Sequence, residues 1–238
     1  MIKLLRLAPL FVACSAVLAA PQEPQTLRIG TWNLEFLGAQ GNFRNNLPPR
    51  DDADYAAIGA KVRELGVAVL AVQEICGEEP LRKVAAGAGG TWQCFLGTSG
   101  GWDDGKTSQQ VGFLYDSAVV DLVGAGELLG LPREIDGTPI FHRVPVTAAF
   151  RHKATGMDFR AITVHLKAGQ KDLDKIKRRL EASHLDAWLR TALAKDGEDR
   201  DIVVLGDFNS TYATDPQTIL EKGGGFQYLV ANPQVPTI

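Results

Sequence analysis

The sequence predicts an α/β protein in which a β-sandwich core is flanked by helices. Strand and helix patterns are mixed along all 238 residues, and a helical segment connects the first two apolar strands as in an α/β crossover unit. The strand pattern at 157–166 is apolar on both faces, which is typical of a strand buried between two layers. Because no polar or Pro/Gly-rich linker divides the chain, we expect a single large domain.

The first residues have the pattern of a secretory signal peptide. Two basic residues precede an apolar run, and small residues at 17–19 form a cleavage site. We therefore predict a signal peptide over 1–19, a mature domain over 20–238, and a periplasmic or extracellular location. A lipoprotein signal at Cys14 is the alternative, although its apolar run would be very short. No later segment is long and apolar enough to span a membrane.

The first half of the chain predicts a crossover followed by short strands. Apolar strands at 27–33 and 69–74 flank an amphipathic helix at 52–65, which begins with acidic residues and ends before a glycine. A shorter helix at 80–88 has a proline in its first turn. Further strands are expected at 91–96, 110–115 and 118–123.

The second half predicts a hairpin, a long helix and a last strand. Strands at 143–151 and 157–166 are joined by a turn that contains a glycine. An amphipathic helix follows and ends near Lys195, and it leads directly into the strand before Asp207. The apolar positions that mark this helix are Leu173, Ile176, Leu180, Ala187 and Trp188. Its basic cluster, formed by Lys175, Lys177, Arg178 and Arg179, is interpreted as a solvated face, with a phosphate-binding rim as the alternative.

The charge balance excludes one class of nucleic-acid-binding protein. The whole chain has 25 Lys and Arg against 28 Asp and Glu, a net charge of −3. Removal of 1–19 takes away two cations and no anions, which leaves 23 against 28 and a net charge of −5. A protein that coats nucleic acid through bulk positive charge is therefore excluded. An enzyme with a locally basic groove or a bound divalent ion is not.

Two cysteines remain after signal cleavage. Cys76 and Cys94 are an even pair in a chain that we expect to enter an oxidising compartment, so we predict a disulfide between them. The alternative is two buried free thiols. Two thiolates alone do not indicate a metal site.

Polar side chains follow the apolar runs at four predicted strand ends. Asn33, Glu74 and His165 each come at the end of such a run. Asp207 and Asn209 follow a fourth run, and alternation along an extended chain would place both on the same side. Packing alone does not explain four such positions. We therefore expect these side chains to face one crevice that holds water, a metal ion or a phosphate.

These residue types suit the hydrolysis of a phosphodiester with a divalent ion. Glu74 offers the hard oxygen that Mg²⁺ prefers, and Asn33 could support the ion or its water. Asp207 could orient or deprotonate the attacking water, with Asn209 holding Asp207 or the phosphate. His165 could donate a hydrogen bond or a proton to a phosphoryl oxygen.

Arg143 completes the predicted site, since its planar guanidinium could bind a phosphate through two hydrogen bonds. A lone histidine would more often be a core residue than a catalytic one. For His165 the company of Asp207 and Glu74 at neighbouring strand ends favours the catalytic interpretation.

These residues, in this order, resemble the endonuclease/exonuclease/phosphatase superfamily, which includes pancreatic-type deoxyribonucleases, abasic-site endonucleases, sphingomyelinases and inositol-phosphate phosphatases. The resemblance implies a four-layered α/β sandwich and hydrolysis of phosphoesters with Mg²⁺, or with Mn²⁺ or Ca²⁺ as alternatives. It also implies Glu74 as the principal metal ligand and Asp207, Asn209 and His165 in catalysis. The matching segments are Thr31-Trp32-Asn33, Val72-Gln73-Glu74, Phe141-His142-Arg143-Val144-Pro145, Thr163-Val164-His165-Leu166-Lys167 and Gly206-Asp207-Phe208-Asn209.

The end of the chain departs from the family pattern. Members normally end with a strand that carries a Ser-Asp-His-like motif, and no Asp-His pair follows Asn209 here. We therefore expect the domain to be incomplete at its C-terminal end. The first interpretation is a metal-dependent endonuclease acting on nucleic acid or another phosphodiester, with no obligate protein partner. The alternatives are a phosphatase or sphingomyelinase of the same fold, or a truncated relative without catalytic activity.

Overall fold

The computed structural model describes residues 26–38, 48–101, 109–195, 200–211 and 214–229. The predicted signal peptide lies outside these residues. No described helix combines the length and the apolar composition needed to cross a membrane. The elements in chain order are β1 (Ile29–Leu37), α1 (Asp52–Glu64), β2 (Val69–Ile75), α2 (Glu78–Ala88), β3 (Trp92–Leu96), β4 (Gln110–Asp116), β5 (Val120–Glu127), β6 (Glu134–Ile135), β7 (Thr138–Pro139), β8 (Val146–His152), β9 (Asp158–His165), α3 (Asp172–Leu193), β10 (Ile202–Asp207) and α4 (Gln217–Gly224).

The strands form two four-stranded sheets with the same layout, together with a small ribbon of β6 and β7. The strand orders are β1-β2-β4-β3 and β10-β9-β8-β5. In each sheet the first two strands are parallel and the others antiparallel. The parallel pairs are connected through α1 and α3. The crossover predicted between the first two strands is therefore confirmed, and α3 leads into the Asp207 strand as expected. The predicted hairpin is confirmed as β8 and β9.

The two sheets and the helices pack as four layers, which confirms the predicted α/β sandwich. Alternation along β2 sends Val69 and Ala71 between the sheets, while Leu70 and Val72 pack under α1 and α2. In β9, Ala161 likewise faces the other sheet. The opposite face of β9 packs against α3 and α4, through Ile162, Val164, Leu185, Leu189 and Leu220.

Helix α1 has the local signals that its sequence predicts. Asp51 caps the helix and forms a reciprocal capping box with Asp54. Tyr55 and Val62 are buried on its inner face. Gly59 allows close packing, because a side chain there would collide with the backbone of α2.

The face of α3 that is buried differs from the predicted one. Leu173 and Ile176 are 60% and 52% exposed, so these two marker positions point to solvent. The inner face instead begins with Arg178 and Glu181, which are 5% and 3% exposed, and continues through Leu185. The interpretation of Arg178 as part of a solvated basic face is therefore wrong. Helical spacing identifies residues that share a face, but packing on β9 decided which face is buried.

The predicted disulfide is also wrong, because no disulfide joins Cys76 and Cys94. Cys94 pairs with Leu114, which pairs with Leu70 on β2. Cys76 lies six residues beyond Leu70, just past the end of β2. From the usual rise per residue and strand spacing the two Cα atoms are about 20 Å apart, far beyond the roughly 7 Å that a disulfide can span.

Candidate active site

Parallel pairing brings four strand ends to one edge of the sandwich. The carboxyl ends of β1 and β2 point the same way, as do those of β9 and β10, and β1 packs next to β10 across the two sheets. The structure therefore places the side chains of Asn33, Glu74, His165 and Asp207 together, as the sequence pattern predicted.

Asn33 bridges two carboxylates at the centre of this site. Its Nδ2 donates to Oε1 of Glu74 at 3.1 Å and to Oδ2 of Asp207 at 2.9 Å. Its Oδ1 accepts a hydrogen bond from the backbone N–H of Glu35 at 2.9 Å. In this orientation Asn33 presents a nitrogen, not an oxygen, to the carboxylates. Its predicted role as a metal ligand would require the amide to turn over.

A local irregularity in β2 turns Glu74 towards the site. Gln73 continues the alternation of the strand into the space between the sheets, but Glu74 has a φ of +61° and the register with β4 shifts between Val72 and Ile75. Left-handed backbone is costly for a residue with a side chain and is concentrated at functional sites. The second oxygen of Glu74 accepts from the N–H of Phe36 at 3.3 Å.

Asp207 is held opposite His165 by close pairing of β10 with β9. The two residues are register partners. The preceding Gly206 has a φ of +133°, and a side chain there would collide with the backbone of Val164. Glycine is therefore needed for the last step of the strand to approach β9 so closely.

Asn209 was predicted to lie on the same side of an extended strand as Asp207, and this prediction is wrong. The strand ends at Asp207, and Asn209 has a φ of +51°. Its backbone N–H donates to Oδ1 of Asp207 at 2.8 Å, and its Nδ2 donates to the carbonyl of Leu166 at 3.0 Å. Asn209 thus orients Asp207 and leaves Oδ2 of that residue facing Asn33.

His165 is 3% exposed and lies between the two carboxylates. Its Nε2 is 3.7 Å from Oε1 of Glu74 and 3.8 Å from Oδ2 of Asp207, distances too long for hydrogen bonds. Burial, aided by nearby Arg143 and His142, lowers the pKa of His165 well below its usual value. The carboxylates favour the protonated ring, but at these distances burial dominates. We therefore treat His165 as neutral near pH 7.

A layer of polar side chains lies beneath the site and was not singled out from the sequence. Gln73, which is 1% exposed, donates through Nε2 to the hydroxyl oxygens of Thr31 at 3.1 Å and Thr163 at 3.0 Å. These contacts connect β1, β2 and β9 across both sheets. The sequence did contain a signal for this polar layer, which is the position of Gln73 inside an apolar run. A buried amide side chain requires hydrogen-bond partners, so polar neighbours could have been expected.

Arg143 has a different position from the predicted phosphate contact. It is 8% exposed, and its guanidinium points into the protein. Nε donates to the carbonyl of His165 at 2.9 Å, Nη2 to that of Leu166 at 3.1 Å, and Nη1 to Oε1 of Gln109 at 2.9 Å. The structure therefore corrects the predicted role, because these donors hold the chain that carries His165 and do not face a substrate.

Glu181 is a buried carboxylate behind the site. Its Oε2 accepts from the backbone N–H of Lys167 at 2.6 Å. Burial raises the pKa of Glu181 to about 7, against the opposing effects of that hydrogen bond and of the charges on Arg143, Lys167 and Arg178. The native state therefore binds the Glu181 proton more tightly than the unfolded chain does. Stability from this proton is complete at low pH and is lost as the pH rises through the native pKa.

We expect the free energy of unfolding of Glu181→Gln to rise relative to that of the wild type between about pH 4 and about pH 7. The lower limit is the pKa typical of a glutamate in an unfolded chain, and the upper limit is the pKa of Glu181 in the native state. The difference should reach on the order of 3 kcal/mol, because glutamine avoids the buried charge. Urea unfolding of both proteins at pH 5 and pH 8 measures it. Glu64→Gln, on the exposed end of α1, is the control. An identical pH dependence for Glu181→Gln and the wild type would contradict the assignment.

Within the described part of the chain, the carboxylates of Glu74 and Asp207 have no lysine or arginine partner. Among the described residues, Glu74 and Asp207 contact only Asn33, Asn209, Phe36 and the neutral His165. The described residues also contain no cluster of three or more His, Cys, Asp or Glu side chains arranged around a metal position. Mg²⁺ commonly binds through one or two carboxylates and keeps several waters. The donor set therefore fits a magnesium ion held by Glu74 and Asp207.

Comparison with known proteins gives one family and one fold. Residues 30–230 match the model of the Endonuclease/Exonuclease/phosphatase family. A deoxyribonuclease from Thioalkalivibrio sp. (strain K90mix) is 25% identical over 187 residues, which make up 77% of this chain. The chain spans less than half of that relative, 46% of its length.

Two of the solved structures with the same fold come from Bacteroides species. An endonuclease/exonuclease/phosphatase from Bacteroides vulgatus superposes with a TM-score of 0.58 at 20% identity, over 81% of this chain and 69% of that one. The mannosyl-6-phosphatase of Bacteroides thetaiotaomicron gives a TM-score of 0.61 at 18% identity, over 83% of this chain and 70% of that one. At these identities the likeness establishes the architecture alone.

Proposed function

The chain belongs to the endonuclease/exonuclease/phosphatase family, whose members hydrolyse phosphoester bonds and generally use divalent metal ions, and we propose that it is a magnesium-dependent endonuclease. The observation that carries this proposal is the pair of carboxylates, Glu74 and Asp207, bridged by a single amide and left without a cationic partner among the described residues. A pair of this kind needs a cation. The similarity to a deoxyribonuclease supports DNA as the substrate.

Glu74 and Asp207 would hold the ion, which would supply charge neutralisation at a phosphoryl oxygen when bound. The protein residues have distinct tasks around it. Asp207, oriented by the N–H of Asn209, orients the attacking water. His165 donates a hydrogen bond from its neutral ring to the phosphate, which becomes stronger as negative charge develops on the oxygen. Asn33 keeps the two carboxylates at a fixed separation.

We also propose export of the protein, on the strength of the basic and apolar pattern over 1–19. The support is sequence alone. An N-terminal sequence of the protein recovered from its native compartment, beginning near residue 20, would establish cleavage.

We expect the purified protein to nick supercoiled plasmid DNA in Mg²⁺ and to lose this activity in EDTA. The reason is that the paired carboxylates cannot bind an anionic phosphate without a cation. Gel electrophoresis of the plasmid measures nicking, and restoring Mg²⁺ in excess over EDTA is the control. Turnover of a sugar phosphate or sphingomyelin without nicking would replace the endonuclease with a phosphatase or sphingomyelinase. Absence of turnover on RNA, DNA and every phosphoester tested would contradict the proposed function.

A further inference from the structure

The chain that leaves β9 after His165 is held by buried side chains, beyond one last hydrogen bond from the N–H of Leu166 to the carbonyl of Asp207 on β10 at 2.9 Å. Nη1 of Arg178 donates to the carbonyls of Lys167 at 2.5 Å and Gly169 at 3.1 Å. Glu181 accepts from the N–H of Lys167. With Arg143 on the carbonyls of His165 and Leu166, these contacts form what we call the main-chain clamp, defined as Arg143, Arg178 and Glu181.

Charged groups in this position are expensive. Arg178 and Glu181 are 5% and 3% exposed, and the next turns of the same face of α3 carry Ala182, Leu185 and Leu189. Apolar side chains would extend that packing, and replacing buried ions with apolar residues of similar volume is often neutral or stabilising. Apolar packing alone therefore does not explain why an arginine and a glutamate occupy the start of this face.

The main-chain clamp contacts backbone groups that lie next to two residues of the proposed active site, His165 and Asp207. Leu166 follows His165 directly, and its carbonyl accepts hydrogen bonds from both Arg143 and Asn209. Asn209 in turn orients Asp207 through its backbone N–H. A shift of the chain after β9 would therefore move the imidazole of His165 and the support of Asp207 together.

We propose that Arg178 and Glu181 are positioning residues for phosphoester hydrolysis, which act by fixing the main chain of residues 165–169 and so the positions of His165 and Asp207 relative to each other. This inference rests on the proposed function. Neither side chain reaches the reacting atoms, so each acts through the backbone. A misplacement of about 1 Å in a catalytic group can cost about 100-fold in rate.

The test replaces the charged pair with apolar side chains of similar size in the full chain, as Arg178→Met combined with Glu181→Leu. We expect kcat on plasmid DNA or bis(p-nitrophenyl) phosphate to fall roughly 10–100-fold, the usual effect of losing groups that support a catalytic residue. KM should change less than about twofold, since substrate binding groups are untouched. The melting temperature of both proteins should be measured in parallel, because the backbone groups of Lys167 and Gly169 lose their hydrogen-bond partners, and kcat should be compared well below both transitions.

Two further variants separate positioning from folding. Glu181→Gln keeps an oxygen for the Lys167 N–H and should retain kcat within about threefold, since the hydrogen bond is preserved. Arg179→Met removes a cation from the exposed neighbouring position of α3, where Arg179 pairs with Asp215 at 2.9 Å, and should leave kcat unchanged. If the double variant does not fold, Glu181→Leu alone provides the same comparison.

A readout without catalysis keeps this inference distinct from the proposed function. In the wild type the Lys167 amide should exchange slowly with deuterium, because it donates to a buried carboxylate, and the double variant should exchange it at least tenfold faster and shift the His165 ring resonances. If the wild type proves inactive, these NMR changes still support positioning while the proposed function fails. The proposal would be overturned if the folded double variant kept the amide exchange rate of Lys167 and the His165 ring resonances of the wild type. It would also be overturned if the double variant kept the kcat of the wild type.

Discussion

Glu74→Gln is expected to lower turnover by roughly 10²–10⁴-fold, because several kcal/mol of charge stabilisation would be lost at a site that depends on a metal ion. Glutamine keeps the size of the side chain and one of its two acceptor oxygens, which in Glu74 accept from Nδ2 of Asn33 at 3.1 Å and from the N–H of Phe36 at 3.3 Å. The fold should therefore survive. Steady-state kinetics in Mg²⁺, with calorimetric titration of Mg²⁺ into both proteins, measures the effect on rate and on metal affinity.

Glu64→Gln is the matched control for this experiment, since Glu64 lies at the exposed end of α1 and pairs with Lys61. It should leave both turnover and Mg²⁺ affinity unchanged. If Glu74→Gln binds Mg²⁺ as tightly as the wild type and turns over at the same rate, Glu74 is not the metal ligand.

His165→Ala should also lower turnover by roughly 10²–10⁴-fold, the contribution typical of a positioned donor or acid. The imidazole is the group that lies between the carboxylates of Glu74 and Asp207, and alanine supplies no replacement donor for the phosphate. The rate should be measured at saturating substrate and Mg²⁺, with the melting temperature followed in parallel, because a buried side chain is also being removed.

The same substitution at His152 separates the catalytic loss from the loss of packing. His152 is also buried, at 5% exposure, and contacts Thr155 at the far end of β8, opposite the site. His152→Ala should lose stability to a similar extent and keep its turnover. A fall in turnover that is no larger for His165→Ala than for His152→Ala would remove His165 from the mechanism.

Much of the candidate site could be predicted because its residues lie at the ends of apolar runs. Asn33, Glu74, His165 and Asp207 each follow such a run, and the carboxyl ends of parallel strands meet at one edge of a sheet. The helix α1 and the hairpin of β8 and β9 also have local signals, in the capping box and in the alternating faces. These features depend on residues that are close in sequence, so their patterns are visible without the fold.

The direction of individual side chains was not visible in the same way. Arg143 was expected to bind phosphate and instead donates to backbone carbonyls. Asn209 was expected on the face of Asp207, but its positive φ sends its amide to Leu166. Both outcomes depend on which acceptors lie nearby in space. The expected disulfide failed for a related reason, since Cys76 and Cys94 are near in sequence and are separated by the order of the strands in the sheet.

The amino-acid sequence by itself determined the family, the four strand-end residues of the candidate site and the main strands and helices, but not the β6–β7 ribbon or α4. Only the tertiary structure decided which face of α3 is buried, and thereby that Arg178 and Glu181 hold the chain behind His165. The physical reason is the range of the interactions. Periodicity acts over a few residues, whereas contacts such as that between Asn33 and Asp207 join positions 174 residues apart, and their partners are set by packing of the whole domain.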